Sequence, residues 1–214
     1  MVVLIDNGHG RDTKGKCSPI LDASLNTNKN ITEDNRLKEY KYTRIVAAEI
    51  VEKLKKAYGI DARLVTPEEK DISLVERVKR INKVCTEKGA RNVLMISVHC
   101  NAASDGAWSS GTGWEAYTTK GATISDNLAT CLYKRAEKNF PGKKIRADYS
   151  DGDPDKEANF YIIKGANCAA VLSENFFMDN KNDVKYMLSD DGLHAIVRTH
   201  IEGILDYIEK YSKR

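Results

Sequence analysis

Short unbroken apolar runs alternate along this chain with longer stretches in which apolar residues recur every three or four positions. Val2–Ile5 is such a run, closed by Asp6-Asn7-Gly8, and reads as a buried strand ended by a turn. From Leu37 to Tyr58 the positions Val46/Ala47, Ile50/Val51, Leu54 and Ala57/Tyr58 keep the helical period, and Gly59 suits the site just past a helix C-terminus. Ala62–Val65 reads as a second strand. Ser73–Lys88 predicts a second helix with Leu74, Val75, Val78, Ile81 and Val84/Cys85 on one face, ended by Gly89.

Asn92–Val98 (NVLMISV) carries the strongest strand signal, and Gly113–Thr118 alternates well enough for another strand. Ala122–Asn139 reads as a helix that turns Ile124, Leu128, Ala129, Leu132 and Tyr133 inward. Pro141–Asn159 is rich in Gly, Asp and Lys and predicts a surface loop. Phe160–Ile163 and Ala169–Ser173 are two further strand candidates, and Leu193–Tyr211 is a closing amphipathic helix. Strands alternating with helices predict an α/β fold, three layers of α/β/α with a mainly parallel central sheet of about six strands. The continuous apolar character of Val2–Ile5, Asn92–Val98 and Ala169–Ser173 fits strands covered on both faces, and one antiparallel member is compatible with the pattern. No internal repeat, low-complexity tract or linker divides the chain, so residues 1–214 are expected to form a single domain.

Composition narrows the picture less. With 41% hydrophobic residues in 214, the chain has the apolar content of a folded domain, and a net charge of +3 gives no case for nucleic acid as a partner. Five cysteines, an odd number with no C-x-x-C pair, argue against a disulfide framework and for synthesis in a reducing compartment. The start MVVLIDNGHG lacks a basic leader and a long apolar run, and no later stretch approaches a membrane span. The expectation is a chain made in the cytoplasm, with no signal peptide and no membrane insertion.

Chemistry concentrates at the strand ends. Val2–Ile5 leads into Asp6-Asn7-Gly8-His9-Gly10, Asn92–Val98 into His99-Cys100-Asn101, and Ala169–Ser173 into Glu174-Asn175. Open α/β sheets place their ligands at this carboxyl edge. Glu39, at the start of the first long helix, adds a second carboxylate. Two imidazoles and one carboxylate make a common catalytic zinc set that leaves a coordination position open. Plainer alternatives stand beside this. Gly8 and Gly10 could make only a tight turn, Glu39 could be a solvated first-turn acid favoured by the helix dipole, and Glu174 a surface acid.

Other residues carry less. His194 and His200 lie six apart on a helix, too far around it to share a metal, and are expected to be exposed or half-buried. Cys100 points away from His99 and reads as packing. No G-x-S-x-G elbow or P-loop is present, and the acids of 151–157 lack the order of a calcium loop. Trp108 and Trp114 flank a Gly/Ser-rich segment, where Trp108 could stack on a sugar or peptide at a rim or be an ordinary indole.

D-N-G-H-G at 6–10, Glu39 opening a helix, S-V-H-C-N at 97–101 and S-E-N-F-F-M-D-N at 173–180 resemble the zinc-dependent N-acetylmuramoyl-L-alanine amidases. The likeness runs in order from Val2 to about Leu205, through Thr66-Pro67 and the L-x-x-R of Leu74–Arg77. It departs where Asn7 stands for a usual Pro and Phe176 for a usual Gly. The resemblance implies a hydrolase that cuts the amide between the lactyl group of N-acetylmuramic acid and L-alanine in peptidoglycan. It implies one Zn²⁺ per chain bound by His9, Glu39 and His99, with Glu33 the alternative to Glu39 because residues 11–38 align loosely. It further implies Glu174 as general acid/base and Asn101 as a substrate contact. A ligating His needs a partner that orients its ring, and Asp6 is the candidate for His9. Peptidoglycan is then the expected partner, for a monomer that acts on the cell wall, either released in the manner of an endolysin or as the mature domain of an exported autolysin lacking its leader. Two competing readings are a zinc peptidase on a similar scaffold and a non-catalytic wall-binding module.

Overall fold

Every residue of strand β1 (Val2–Asn7) is buried, and its side chains divide between two separate cores. Val3 and Ile5 pack with Val46, Ile50 and Ile196, whereas Val2 and Leu4 pack with Ile81, Cys85 and Ile162. That division requires a strand with helices on both faces, as the unbroken apolar run predicts. The computed structural model describes residues 1–211.

Helix α1 (Glu39–Tyr58) follows a short hairpin, β2 (Thr32–Glu33) and β3 (Arg36–Leu37). The hairpin turns on Asp34 and Asn35, both in the left-handed region at φ 51° and 52°, as a two-residue turn of this hand demands. Gly59 ends α1 at φ 65°. Then come β4 (Asp61–Leu64), α2 (Leu74–Lys88) capped by the Ser73 side chain, and β5 (Val93–Asn101). The chain continues through β6 (Trp114–Thr118), α3 (Ile124–Asn139), the two-residue β7 (Lys156–Glu157) and α4 (Tyr161–Lys164). It closes with β8 (Ala169–Phe177), α5 (Lys181–Met187) and α6 (Asp190–Tyr211).

The six-stranded sheet has the order β4-β1-β5-β8-β6-β7. β4, β1, β5 and β8 run parallel, and β6 pairs antiparallel with β8. α1, α3 and α6 cover one face, and α2 and α4 the other. Among the described residues no helix is long and apolar enough to cross a membrane.

Three local readings of the sequence need correction. Phe160–Ile163 is not a strand. Ile162 and Ile163 are both buried while Phe160 and Tyr161 are exposed, a pairing that one helical turn allows and strict strand alternation does not. The sixth strand comes instead from Lys156–Glu157, inside the segment expected to be loop. His200 is fully buried rather than exposed or half-buried. Its Nδ1 lies 2.8 Å from the Ile196 carbonyl, which makes Nδ1 the donor and leaves Nε2 to accept from Ser173 Oγ at 2.9 Å. α6 is thereby tied to the residue beside Glu174.

Burial holds His200 neutral, lowering its pKa from the ordinary 6.5 to about 4. As pH falls the unfolded chain takes up this proton first, so stability drops as pH passes down through 6.5 and the loss levels off near 4. Between pH 7.5 and 5 this single group removes about 2 kcal/mol. His200→Gln should be less stable than wild type at pH 7.5, and the gap should narrow by about that amount at pH 5 in urea unfolding. A gap independent of pH would show that His200 does not titrate this way.

Candidate active site

Parallel strands deliver their C-terminal ends to one edge, and the register there sets three acidic or basic side chains side by side. His99 on β5 pairs with Glu174 on β8, which pairs in turn with Glu115 on β6. Directly paired residues share a face, so all three project towards the side of α2, away from the core between Val98, Cys100 and α1. Cys100 is buried in that core, as its position next to His99 predicts.

β1 contributes the next residues. Gly8 continues the ladder by donating to Val98 O at 3.1 Å, and it lies against the His99 ring. A Cβ at Gly8 would stand 2.2 Å from His99 Cε1, so only glycine lets the imidazole occupy this place. His9 follows in the left-handed region at φ 61°, a conformation that costs about 1 kcal/mol or more for a non-glycine residue. Its carbonyl is held by Arg44 Nη1 at 3.0 Å and Arg77 Nη2 at 3.3 Å, which offset that strain.

Arg77, the arginine of the L-x-x-R motif, is itself fully buried. It donates to Asp6 Oδ1 at 2.7 Å, to the Asn7 carbonyl at 3.0 Å and to the Ile72 carbonyl at 2.7 Å. Asp6 takes a second bond from Ser97 Oγ at 2.7 Å. The carboxylate expected to orient the His9 ring is therefore turned into this ion pair, and it acts on His9 through Arg77 and the backbone. Asn7, which replaces a usual proline, accepts from Thr66 Oγ1 at 2.7 Å.

Glu39 reaches the edge from the first turn of α1 and is 1% exposed. Its Oε1 accepts from the Cys100 amide at 3.0 Å and lies 3.0 Å from His99 Nδ1, while Oε2 lies 3.3 Å from His9 Nε2. One potential ligand atom from each of His9, Glu39 and His99 falls within 4.8 Å of the others, and the rings meet edge to face at 5.0 Å. Glu33 stays apart, accepting from Tyr40 OH at 2.8 Å and facing Arg11. Burial works against the Glu39 carboxylate, but the His99 bond, both imidazoles and the Cys100 amide outweigh it and hold its pKa below the usual value. Burial opposes charge on His99 too, yet Glu39 raises its pKa, whereas burial dominates at His9 and lowers it to about 4. A buried carboxylate between two imidazoles is a donor set suited to a divalent cation.

Glu174 has the opposite balance. Burial lifts its pKa to about 8 against the pull of His99, and the negative charges of Glu39 and Glu115 add to the rise. Its Oε2 is sealed from solvent without a hydrogen-bond partner. Such an atom needs a reason, and a reacting group beside it is one. Phe176, two residues on, takes the left-handed backbone that a glycine would adopt, φ 67°. The ring is wholly buried against Phe140 and Tyr186 at centroid distances of 5.1 and 5.2 Å. A buried phenylalanine contributes about 3–5 kcal/mol, against about 1–3 for the strain, so packing wins.

Asn101 lies at the same edge and donates from Nδ2 to Glu115 Oε1 at 2.6 Å. Trp114 is core, its indole donating to Asn175 Oδ1 at 3.0 Å, and Trp108 is half-buried with Lys181 over its ring. Glu115 was missed by the sequence reading. The available signal was a lone acid inside the otherwise uncharged strand Trp114–Thr118.

Known proteins resemble this chain over nearly its whole length. A family model described as N-acetylmuramoyl-L-alanine amidase matches residues 3–206. The endolysin of Bacillus phage SPP1 is 24% identical over 219 aligned residues, covering 99% of this chain and 68% of that protein. The N-acetylmuramoyl-L-alanine amidase CwlM of Bacillus licheniformis is 24% identical over 208 residues, covering 94% of this chain and 66% of its own length. The chain thus spans about two thirds of the length of these relatives. The crystal structure of an N-acetylmuramoyl-L-alanine amidase from Clostridium difficile 630 superposes with a TM-score of 0.74 at 21% identity, over 98% of this chain and 97% of that one. The mostly parallel six-stranded sheet is the fold shared with it. Since the family model spans nearly the whole chain, from the first strand to the last helix, the protein belongs to the N-acetylmuramoyl-L-alanine amidase family.

Proposed function

We propose that this chain hydrolyses the amide between the lactyl group of N-acetylmuramic acid and the first L-alanine of peptidoglycan. In this reading His9, Glu39 and His99 hold one Zn²⁺, and Glu174 is the general acid/base. The observation that carries the proposal is the meeting of His9, Glu39 and His99 within 4.8 Å, next in register to a carboxyl with an orphaned oxygen. The donor set fits zinc, having two nitrogens and one oxygen. When bound, zinc supplies Lewis acidity towards an amide carbonyl and brings the pKa of a coordinated water to about 7.

The chain's own residues do the remaining work. Glu174 Oε2 accepts a proton from the attacking water and returns it to the departing alanine nitrogen, so the leaving group departs as a neutral amine. Positioned proton transfer of this kind is worth about 10²–10⁴-fold in rate. The buried Arg77–Asp6 pair and Arg44 hold the His9 backbone in its strained conformation, and Gly8 leaves room for His99. Asn101, anchored on Glu115, borders the site as a substrate contact. We further take residues 1–214 to form one domain that acts as a monomer on the cell wall without membrane insertion; the likeness to a phage endolysin supports the cell-wall role.

Digestion of purified peptidoglycan, followed by mass analysis, tests the reading. It expects free stem peptides beginning at L-alanine, lost on chelation and restored by zinc. Cuts within the stem peptide would make the protein a peptidase, and binding without any product would make it a wall-binding module. Glu174→Gln should keep about one zinc per chain and lose on the order of 10²–10⁴-fold in turnover. Unchanged turnover would remove Glu174 from the mechanism. Glu39→Ala should abolish zinc binding where Glu33→Ala does not, measured by metal analysis after gel filtration, and the reverse result would exchange their roles. Gly8→Ala should fold yet weaken zinc binding on the order of 10–100-fold in a competitive chelator titration, because its methyl group displaces the His99 ring. Wild-type affinity would show that the ring's place is not critical.

A further inference from the structure

The loop from Pro141 to Asn159 has no evident task in the sequence, yet it delivers two cations to the far side of Glu174. Arg146 Nε donates to Glu115 Oε2 at 2.7 Å, and Lys156 Nζ reaches the same oxygen at 2.7 Å. Glu115 Oε1 accepts from Asn101 Nδ2 at 2.6 Å and Tyr117 OH at 2.9 Å. With four donors on its two oxygens, this buried carboxylate is saturated and has no capacity left for a substrate. Two cations share one acid, so the cluster carries an excess positive charge.

Arg146 is held as firmly as a strand residue. Its amide donates to Trp114 O at 2.8 Å, and its carbonyl accepts from Tyr133 OH at 3.1 Å. The guanidinium lies over the Phe177 ring, 5.3 Å from the centroid. Only Nε is used by the protein, since neither Nη has a hydrogen-bond partner among the described residues. The side chain remains 29% exposed. A fixed guanidinium edge with two unused donors matches a carboxylate in shape and charge.

We propose that Arg146, positioned by Glu115 and flanked by Lys156, binds a carboxylate of the departing peptide. The proposal rests on the amidase reading, which sets the direction of the substrate. The scissile carbonyl lies towards His9 and His99, and the leaving nitrogen lies towards Glu174. A peptide that keeps to this row of strand ends then passes Glu115, the residue paired with Glu174. Two strand spacings put Glu115 about 10 Å from His99. An extended chain advances about 3.3–3.6 Å per residue, so the long Arg146 side chain meets the second residue beyond the cut. Arg146 therefore selects for an acid at that position.

The test uses two soluble substrates, N-acetylmuramoyl-L-alanyl-D-glutamate with a free α-carboxylate and the same compound as its α-carboxamide. Wild type should prefer the carboxylate by about 10-fold or more in kcat/KM, the scale of one charge-assisted bond. Arg146→Gln should erase the preference by raising KM for the acid alone, with kcat retained and the amide unaffected. Arg146→Lys, which keeps the charge beside Glu115 but not the planar fork, should restore part of it. Equal losses on both substrates, or a preference that survives Arg146→Gln, would overturn the proposal. Calorimetric binding of both compounds to zinc-loaded Glu174→Gln protein separates this from the amidase reading. Arg146-dependent binding of the acid without turnover by wild type would leave the anchor standing and the hydrolysis reading fallen. Turnover of both compounds without preference would do the opposite, and binding of neither would overturn the anchor.

Discussion

Burial of the Glu39 carboxylate is the constraint from which the rest of the site follows. A charge taken out of water at the first turn of α1 is costly unless it is met by donors on all sides. Here the Cys100 amide and the His99 imidazole meet it from the end of β5, and the His9 imidazole from just beyond the end of β1. The sheet order fixes those ends as neighbours, because β1 and β5 are adjacent and parallel. α1 must then begin where the two strands stop. Gly8 is the local expression of this crowding, as there is no space for a side chain between its backbone and the His99 ring.

Function then reads across the sheet rather than along the chain. From β1 to β6 the edge carries His9, His99, Glu174 and Glu115 in spatial order, although the sequence order puts Glu115 before Glu174. The step from β5 to β8 separates two regimes. On one side a carboxylate is stabilised in its charged form by imidazoles. On the other a carboxyl is pushed towards its neutral form by burial. Two acids whose environments drive them apart suit two roles, one holding a cation and one moving a proton. The antiparallel β6 extends the same row by one more strand and lets the 141–159 loop bring its cations to the row's end.

Much of this was legible in the residues. The strands that begin the chain and that lead to His99 and Glu174 are buried on both faces, which erases alternation and leaves unbroken apolar runs that are easily read. Their C-terminal ends lead into His9, His99 and Glu174, which the structure brings to one edge. Phe160–Ile163 was misread because four apolar residues fit one helical turn as well as a short strand, and only the joint burial of Ile162 and Ile163 decides. Asp6 stands three residues before His9, yet its partner is Arg77, 71 positions away. His200 looked like an ordinary helix residue because its partner Ser173 belongs to another element. Glu115 shows in the sequence only as a lone acid in its strand, since the cations it gathers lie in a loop without periodicity. Long-range polar pairing leaves no local pattern, and these are the contacts that sequence reading does not recover.

In the proposed reading three side chains form one metal site and Glu174 stays outside it. Anomalous diffraction at the zinc edge, on crystals of the zinc-loaded protein, tests this most directly. A single peak within bonding distance of His9 Nε2, His99 Nδ1 and a Glu39 oxygen, with Glu174 beyond it, is the predicted result. A peak bonded to Glu174 or Glu33, or one elsewhere on the molecule, would contradict the account.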